Sequence, residues 1–140
     1  MEPNRYTMKK PALLIIDMQN DFASKKAVLP VAGAENVISP LTQVLSEFRA
    51  RNLPIFHVVR VHHPDGSDVE WFRAEKFKST PFAVRRTPGA DVIDELKPKP
   101  GEYLLEKTRM SAFIGTGLDL TLRTLGVDTV VIAGIQTPNC

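Results

Sequence analysis

Two short apolar runs limit what this chain can become. Ala12-Leu13-Leu14-Ile15-Ile16 stops at Asp17, and Thr129-Val130-Val131-Ile132-Ala133 stops at Gly134; neither alternates apolar with polar residues. Runs of that length are too short for a core helix and too uniformly apolar for a strand with one wet face. They read as strands of a parallel sheet covered on both sides. Parallel neighbours need a long crossover between them. Val37, Leu41, Val44, Leu45 and Phe48 supply it, recurring at helical spacing through Arg51. Asn36 fits the N-cap of this helix, with Pro40 in the first turn, where its missing N–H matters least. Pro54 to Val59 is then the second strand.

Further along, Ala90 to Leu96 suggests a short helix ended by Pro98 and Pro100. Tyr103-Leu104-Leu105 is a third strand that carries Glu106 and Lys107 at its end. Leu118, Leu122 and Leu125 mark a helix closed by Gly126, ahead of the strand at Thr129. His62 to Gly89 fits no regular element, and a segment of that length in a compact domain reads as a binding loop or lid. The alternation of strands and helices defines an α/β fold with a parallel sheet. At 140 residues, 43% hydrophobic and 24% charged, the chain suits one domain spanning 1–140. A formal charge of +2 is too mild to mark a nucleic-acid or anionic-membrane surface. The apolar runs fall short of a membrane span, and no N-terminal stretch resembles a signal peptide. The single cysteine cannot form an internal disulfide. A cytoplasmic location is the expectation.

In open α/β sheets the ligand site lies beyond the carboxyl ends of the strands. Asp17, Lys107 and Cys140 all fall at or shortly after such ends. Each alone is ordinary: an Asp usually caps a loop, a Lys is usually solvated, a lone Cys is usually a small buried hydrophobe. Together they are a reactive set. A nearby ammonium favours the thiolate, and a carboxylate in reach accepts the thiol proton, giving a Cys nucleophile with an Asp general base. A thiol so placed is expected to alkylate quickly near pH 7.

Three segments carry a family resemblance: Leu14 to Phe22 (LIIDMQNDF), Glu106 to Phe113 (EKTRMSAF) and Val131 to Cys140 (VIAGIQTPNC). Their order and spacing resemble the signature segments of the isochorismatase-like cysteine hydrolases, and the likeness covers nearly the whole chain. It implies a three-layer α/β/α, Rossmann-like fold with a central parallel sheet. It implies that Asp17 is the general base, Lys107 the lysine that stabilises developing charge, and Cys140 the nucleophile. It also implies a cis peptide between Ile135 and Gln136, aiming the N–H groups of Gln136 and Cys140 at the substrate oxygen as an oxyanion hole. The implied reaction cleaves a C–N bond of a small linear amide, carbamoyl or ureido compound through a thioester on Cys140. The alternative is an inactive member serving as a binding or oligomeric scaffold, suggested by Pro138 in the nucleophile turn, where related enzymes often carry an acidic residue.

The three histidines, His57, His62 and His63, invite a metal reading. Nicotinamidases of this superfamily bind metal through an Asp-x-His pair and a later His. Here Val61 stands where that Asp would be, and His63 is the one matching ligand. One imidazole is not a site, since three protein ligands are the usual minimum for a catalytic zinc. The expectation is no metal and no other cofactor, with His57 a core residue. For substrate contacts the candidates are Phe22, Gln19, Arg109, Phe113 and Trp71. The aromatic and basic stretch with Phe72, Arg73, Phe77, Arg85 and Arg86, together with Arg60, reads equally as a grip on a substrate carboxylate or as an oligomer contact. The resemblance implies a homodimer or homotetramer. It further implies a longer domain, because family members carry a helix starting at the nucleophile and two strands after it. The record ending at Cys140 is therefore expected to be incomplete, one cause of such a break being a modified cysteine.

Overall fold

The sheet is built outward from the first apolar run. In the computed structural model, which describes residues 7–140, β1 (Pro11–Ile16) lies between β2 (Ile55–Arg60) and β4 (Thr129–Gly134), and β3 (Tyr103–Lys107) flanks β2. Every pairing is parallel. Leu14 stands beside Phe56 on one side and Ile132 on the other, and Arg60 beside Lys107. Four α-helices are α1 (Asn20–Ala23), α2 (Ala34–Ala50), α3 (Ala74–Ser79) and α4 (Leu118–Thr124).

Alternate residues of β1 point to different helices. Leu13 and Ile15 join Leu41, Leu45 and Phe48 of α2 on one face, while Ala12, Leu14 and Ile16 join Phe56, Val58, Leu118 and Leu122 on the other. The result is the three-layer α/β/α arrangement. Full burial holds for β1 and β2. It fails at the flanks, where Leu104 of β3 is 57% exposed and Ile132 of β4 is 63% exposed. Among the described residues β3 and β4 are the two edges of the sheet, and part of each apolar run is exposed.

Tertiary packing overrides local preference in α2. The helix starts one turn earlier than its periodicity suggests, with Gly33 rather than Asn36 at the N-cap, and Pro40 sits inside it. An interior proline costs about 3 kcal/mol. Burial of Leu41, Leu45 and Phe48 contributes about 1.5–3 kcal/mol each and outweighs that loss. The stretch at Ala90 to Leu96 is not a helix but parts of two 3-10 turns, Pro88–Ala90 and Asp94–Leu96. The 62–89 segment holds a 3-10 turn at Trp71–Arg73 running into α3, anchored by Phe77 and Phe82 around His62.

One buried polar cluster ties α2 to the sheet. Glu102 receives Arg49 Nε at 2.5 Å and Nη2 at 3.0 Å, the Lys99 N–H at 3.0 Å, and His57 Nε2 at 2.6 Å. Burial lowers the His57 pKa, and the pull of Glu102 the other way does not restore it. His57 is therefore the neutral Nε2–H tautomer, and its buried Nδ1 is left without a partner. Burial pushes the Glu102 carboxyl up, but Arg49, the Lys99 N–H and His57 outweigh it and hold the pKa at about 2. Both shifts cost stability in acid. The unfolded chain binds a proton at His57 below about pH 6.5 that the folded chain refuses, and below the ordinary carboxylate range the same holds for Glu102. His62 acts in the same direction, because burial and then Arg60 lower its pKa. Melting temperature should fall as pH drops from 7.5 to 5, and His57→Gln should shallow that slope, leaving the share of His62. An identical slope in the variant would remove His57 from this account.

Candidate active site

Asp17 is the first residue past β1. Its N–H donates to the Val58 carbonyl at 3.0 Å, so the carboxylate is set by the β1–β2 pairing. The backbone turns there through φ 56°, a left-handed conformation that Asp tolerates better than most residues. Asp17 is buried, and its Oδ2 accepts Lys107 Nζ at 3.3 Å. The Lys107 ammonium donates also to the carbonyls of Arg109 at 3.2 Å and Met110 at 2.8 Å, which fills its three donors. Asp17 Oδ1 is buried with no hydrogen-bond partner.

Cys140 completes the set from the turn after β4. Gly134 makes that turn possible: a Cβ there would collide with the Ile16 carbonyl, and its φ is 129°. The cysteine is half-buried beside both charged residues. Burial pushes its thiol pKa up, the Asp17 carboxylate adds to the rise, and the Lys107 ammonium opposes it. This direction weighs against the fast alkylation expected near pH 7. Proton removal has to accompany attack.

The implied oxyanion hole is not formed as expected. No cis peptide occurs among the described residues, and Ile135–Gln136 is trans; the chain turns instead through a left-handed Gln136 at φ 63°. The Cys140 N–H donates to the Gln136 carbonyl at 3.0 Å, as does that of Asn139 at 2.9 Å. Of the two expected donors, only the Gln136 N–H is without a backbone acceptor.

A cavity of about 430 Å3 opens on these groups, within the range of small-molecule sites. Asp17, Gln136, Asn139 and Cys140 line one side; Phe22, Leu29, Val31, Phe82 and Ile135 give it an apolar wall. Phe22 thus lies where the sequence placed it. Four other candidates do not. Gln19 is fully buried, its Nε2 bonded to the Arg60 and Ala90 carbonyls at 2.7 and 2.8 Å and its Oε1 accepting the Arg60 N–H at 2.7 Å, so it is a crosslink. Arg109 is tied to the Asp68 and Thr108 carbonyls at 2.7 and 3.0 Å. Trp71 is 88% exposed and Phe113 46% exposed, and neither lines the cavity.

The arginines divide. Arg60 lines the cavity, but its guanidinium is paired with Glu70 and donates to His62 Nε2 at 2.9 Å. Arg85 pairs with Glu106 at 2.7 Å and, with Arg86, lines a different hollow beside β3. Arg73 lines the cavity together with Lys76, a residue the sequence pattern did not single out. Among the histidines, His57 is bonded to Glu102, buried His62 to Asp68 at 3.1 Å, and exposed His63 to Asp65 at 2.7 Å. The three serve separate local pairs, and no group of three or more His, Cys, Asp or Glu side chains among the described residues is arranged to hold a metal ion. No helix among them is long and apolar enough to cross a membrane.

The four-stranded parallel sheet, with an acid, a lysine and a thiol at or beyond the ends of three strands, puts the chain in the three-layer α/β/α class, and comparison with known proteins gives the family. The isochorismatase domain model matches residues 11–140, and the chain belongs to that family. It is 41% identical over 135 residues to a probable inactive nicotinamidase of Arabidopsis thaliana, covering 94% of this chain and 69% of that protein. It is 30% identical over 162 residues to a ureidoacrylate amidohydrolase of Stutzerimonas stutzeri, covering 99% of this chain and 64% of that one. Among solved structures, an isochorismatase family protein from Desulfovibrio vulgaris matches with a TM-score of 0.89 and 45% identity over 94% of this chain and 70% of its own. The chain thus spans about two thirds of the length of these relatives.

Proposed function

We propose that the chain acts as a cysteine hydrolase that cleaves a C–N bond of a small linear amide, carbamoyl or ureido compound. The observation that carries this reading is the Asp17 carboxylate acting on the Cys140 thiol, with Lys107 fixed on Oδ2 and the buried Oδ1 without a hydrogen-bond partner among the described residues. A lone pair with no other donor is poised to accept the thiol proton. Asp17 takes that proton as Cys140 Sγ attacks the carbonyl carbon, and the C=O electron pair moves to oxygen, facing the Gln136 N–H. Collapse breaks the C–N bond, and the proton held on Asp17 leaves with the amine or ammonia. Water then adds to the thioester, with Asp17 again taking a proton, and the acid departs as the thiol re-forms. The name of the Stutzerimonas relative, a ureidoacrylate amidohydrolase, supports a ureido compound as the substrate.

A second reading, a non-catalytic binding or oligomeric member, draws support from the raised thiol pKa and from the name of the Arabidopsis relative. Exposed Trp71, Phe72 and Phe113 suit a contact in a homodimer or homotetramer better than a pocket wall. Ammonia release across a panel of linear amides and ureides, run on wild type and Cys140→Ala in parallel, separates the two. Turnover of at least one compound, reduced about a thousandfold or more in the variant, is the expected result. Silence across the panel favours the second reading, and equal rates in both proteins would remove Cys140 from the chemistry.

A further inference from the structure

Charge around the cavity does not balance. Of the ionised side chains that line it, Asp17 is paired with Lys107 and Arg60 with Glu70. The remaining two, Arg73 and Lys76, make no side-chain hydrogen bond or ion pair with any described residue; the Arg73 guanidinium rests 5.7 Å from the Phe72 ring centroid. Both come from the segment that runs from the Trp71–Arg73 turn into α3, which buried Phe77 anchors against Phe82 and His62. They are therefore presented to the hollow by a held piece of backbone. The hollow is lined also by the apolar side chains of Phe22, Leu29, Val31 and Ile135. The nearest carboxylate, Glu70, feels the Arg73 charge but is bonded to Arg60, so the group of Arg60, Glu70, Arg73 and Lys76 keeps a positive excess, and such an excess beside low-dielectric walls concentrates anions in a hollow.

We propose that Arg73 and Lys76 form an anion subsite, selecting substrates whose end remote from the scissile carbonyl carries a carboxylate. The substrate class becomes an amide or ureide of an acid, present as its anion at neutral pH. This inference rests on the hydrolase reading for the word substrate, but not for its test.

Cys140 is the only cysteine in the chain, so it reports the charge preference of its own pocket. Iodoacetate and iodoacetamide alkylate the same sulfur: the S–C bond forms, iodide leaves with the C–I electron pair, and the thiol proton passes to solvent. They differ in a carboxylate against a neutral amide. The rate ratio of the two reagents at about pH 8.5, normalised to the ratio for free glutathione, isolates attraction for the anion. Wild type should show a ratio well above that of glutathione, falling with added salt. Arg73→Gln/Lys76→Gln should lower it about tenfold and reduce the salt dependence, since two cations lining the same hollow as Cys140 act in the same direction. Arg73→Lys should keep most of it. An unchanged ratio in the double variant would overturn the subsite. The two readings fail separately: selectivity with hydrolysis untouched by Cys140→Ala defeats the hydrolase alone, and Cys140-dependent hydrolysis with a flat ratio defeats the subsite alone.

Discussion

Asp17→Asn is expected to lower hydrolysis about a thousandfold while making Cys140 easier to alkylate. General-base catalysis contributes roughly 10²–10⁴ in rate, and an amide at position 17 cannot take the thiol proton. The second effect has the opposite sign. Burial is the main reason the thiol pKa is high, but the Asp17 carboxylate adds to it, and removing that charge lets Lys107 act unopposed. The pH profile of iodoacetamide alkylation should therefore move to lower pH in the variant even as turnover disappears. A loss of both activities together would point to a collapsed site, and retained hydrolysis would exclude Asp17 as the base.

Lys107→Met should be the most destabilising single change in the site. Among the described residues Lys107 Nζ is the one side-chain nitrogen that donates to Asp17, and both residues are buried. Breaking a buried pair from one side leaves the other charge unpaired, at a cost of about 3–5 kcal/mol. The Arg109 and Met110 carbonyls lose their donor as well. For a domain of this size such a loss lowers the melting temperature by on the order of 10 °C. The thiol pKa should rise further, because the one charge that lowers it is gone. Asp17→Asn/Lys107→Met should recover much of the stability, since no bare carboxylate remains. Full stability in the single variant, or a double variant no more stable than the single, would contradict a charged pair at the sheet edge.

Much of the architecture could be read from the chain because it depends on short-range patterns. Unbroken apolar runs announced β1 and β4, and a reactive residue close after each announced where chemistry would gather. Gln19 and Arg109 escaped that kind of reading for a definite reason. Gln19 Nε2 is taken up by backbone carbonyls 41 and 71 residues away and Arg109 is held by one 41 residues away, from segments whose proximity no local spacing reveals. Trp71 was misplaced because aromatic character says nothing about direction; it is the neighbouring Arg73 and Lys76 that face the cavity. The turn before Cys140 was expected to use a cis bond, whereas a left-handed Gln136 bends the chain there. Pro40 was placed in a first turn on local grounds, and packing of the residues around it draws the helix past it.

The all-parallel sheet has a consequence for how the site comes into being. Asp17 and Lys107 are 90 residues apart, and β1 meets β4 only after the chain has closed a loop from Pro11 to Thr129. Such closures are entropically slow and leave local structure, such as α2, free to form first. Reactive chemistry is therefore withheld from every partly folded form. A partly folded chain carries the same acid, lysine and thiol, but apart from one another. The proposed site is therefore assembled only when β1, β3 and β4 stand in register.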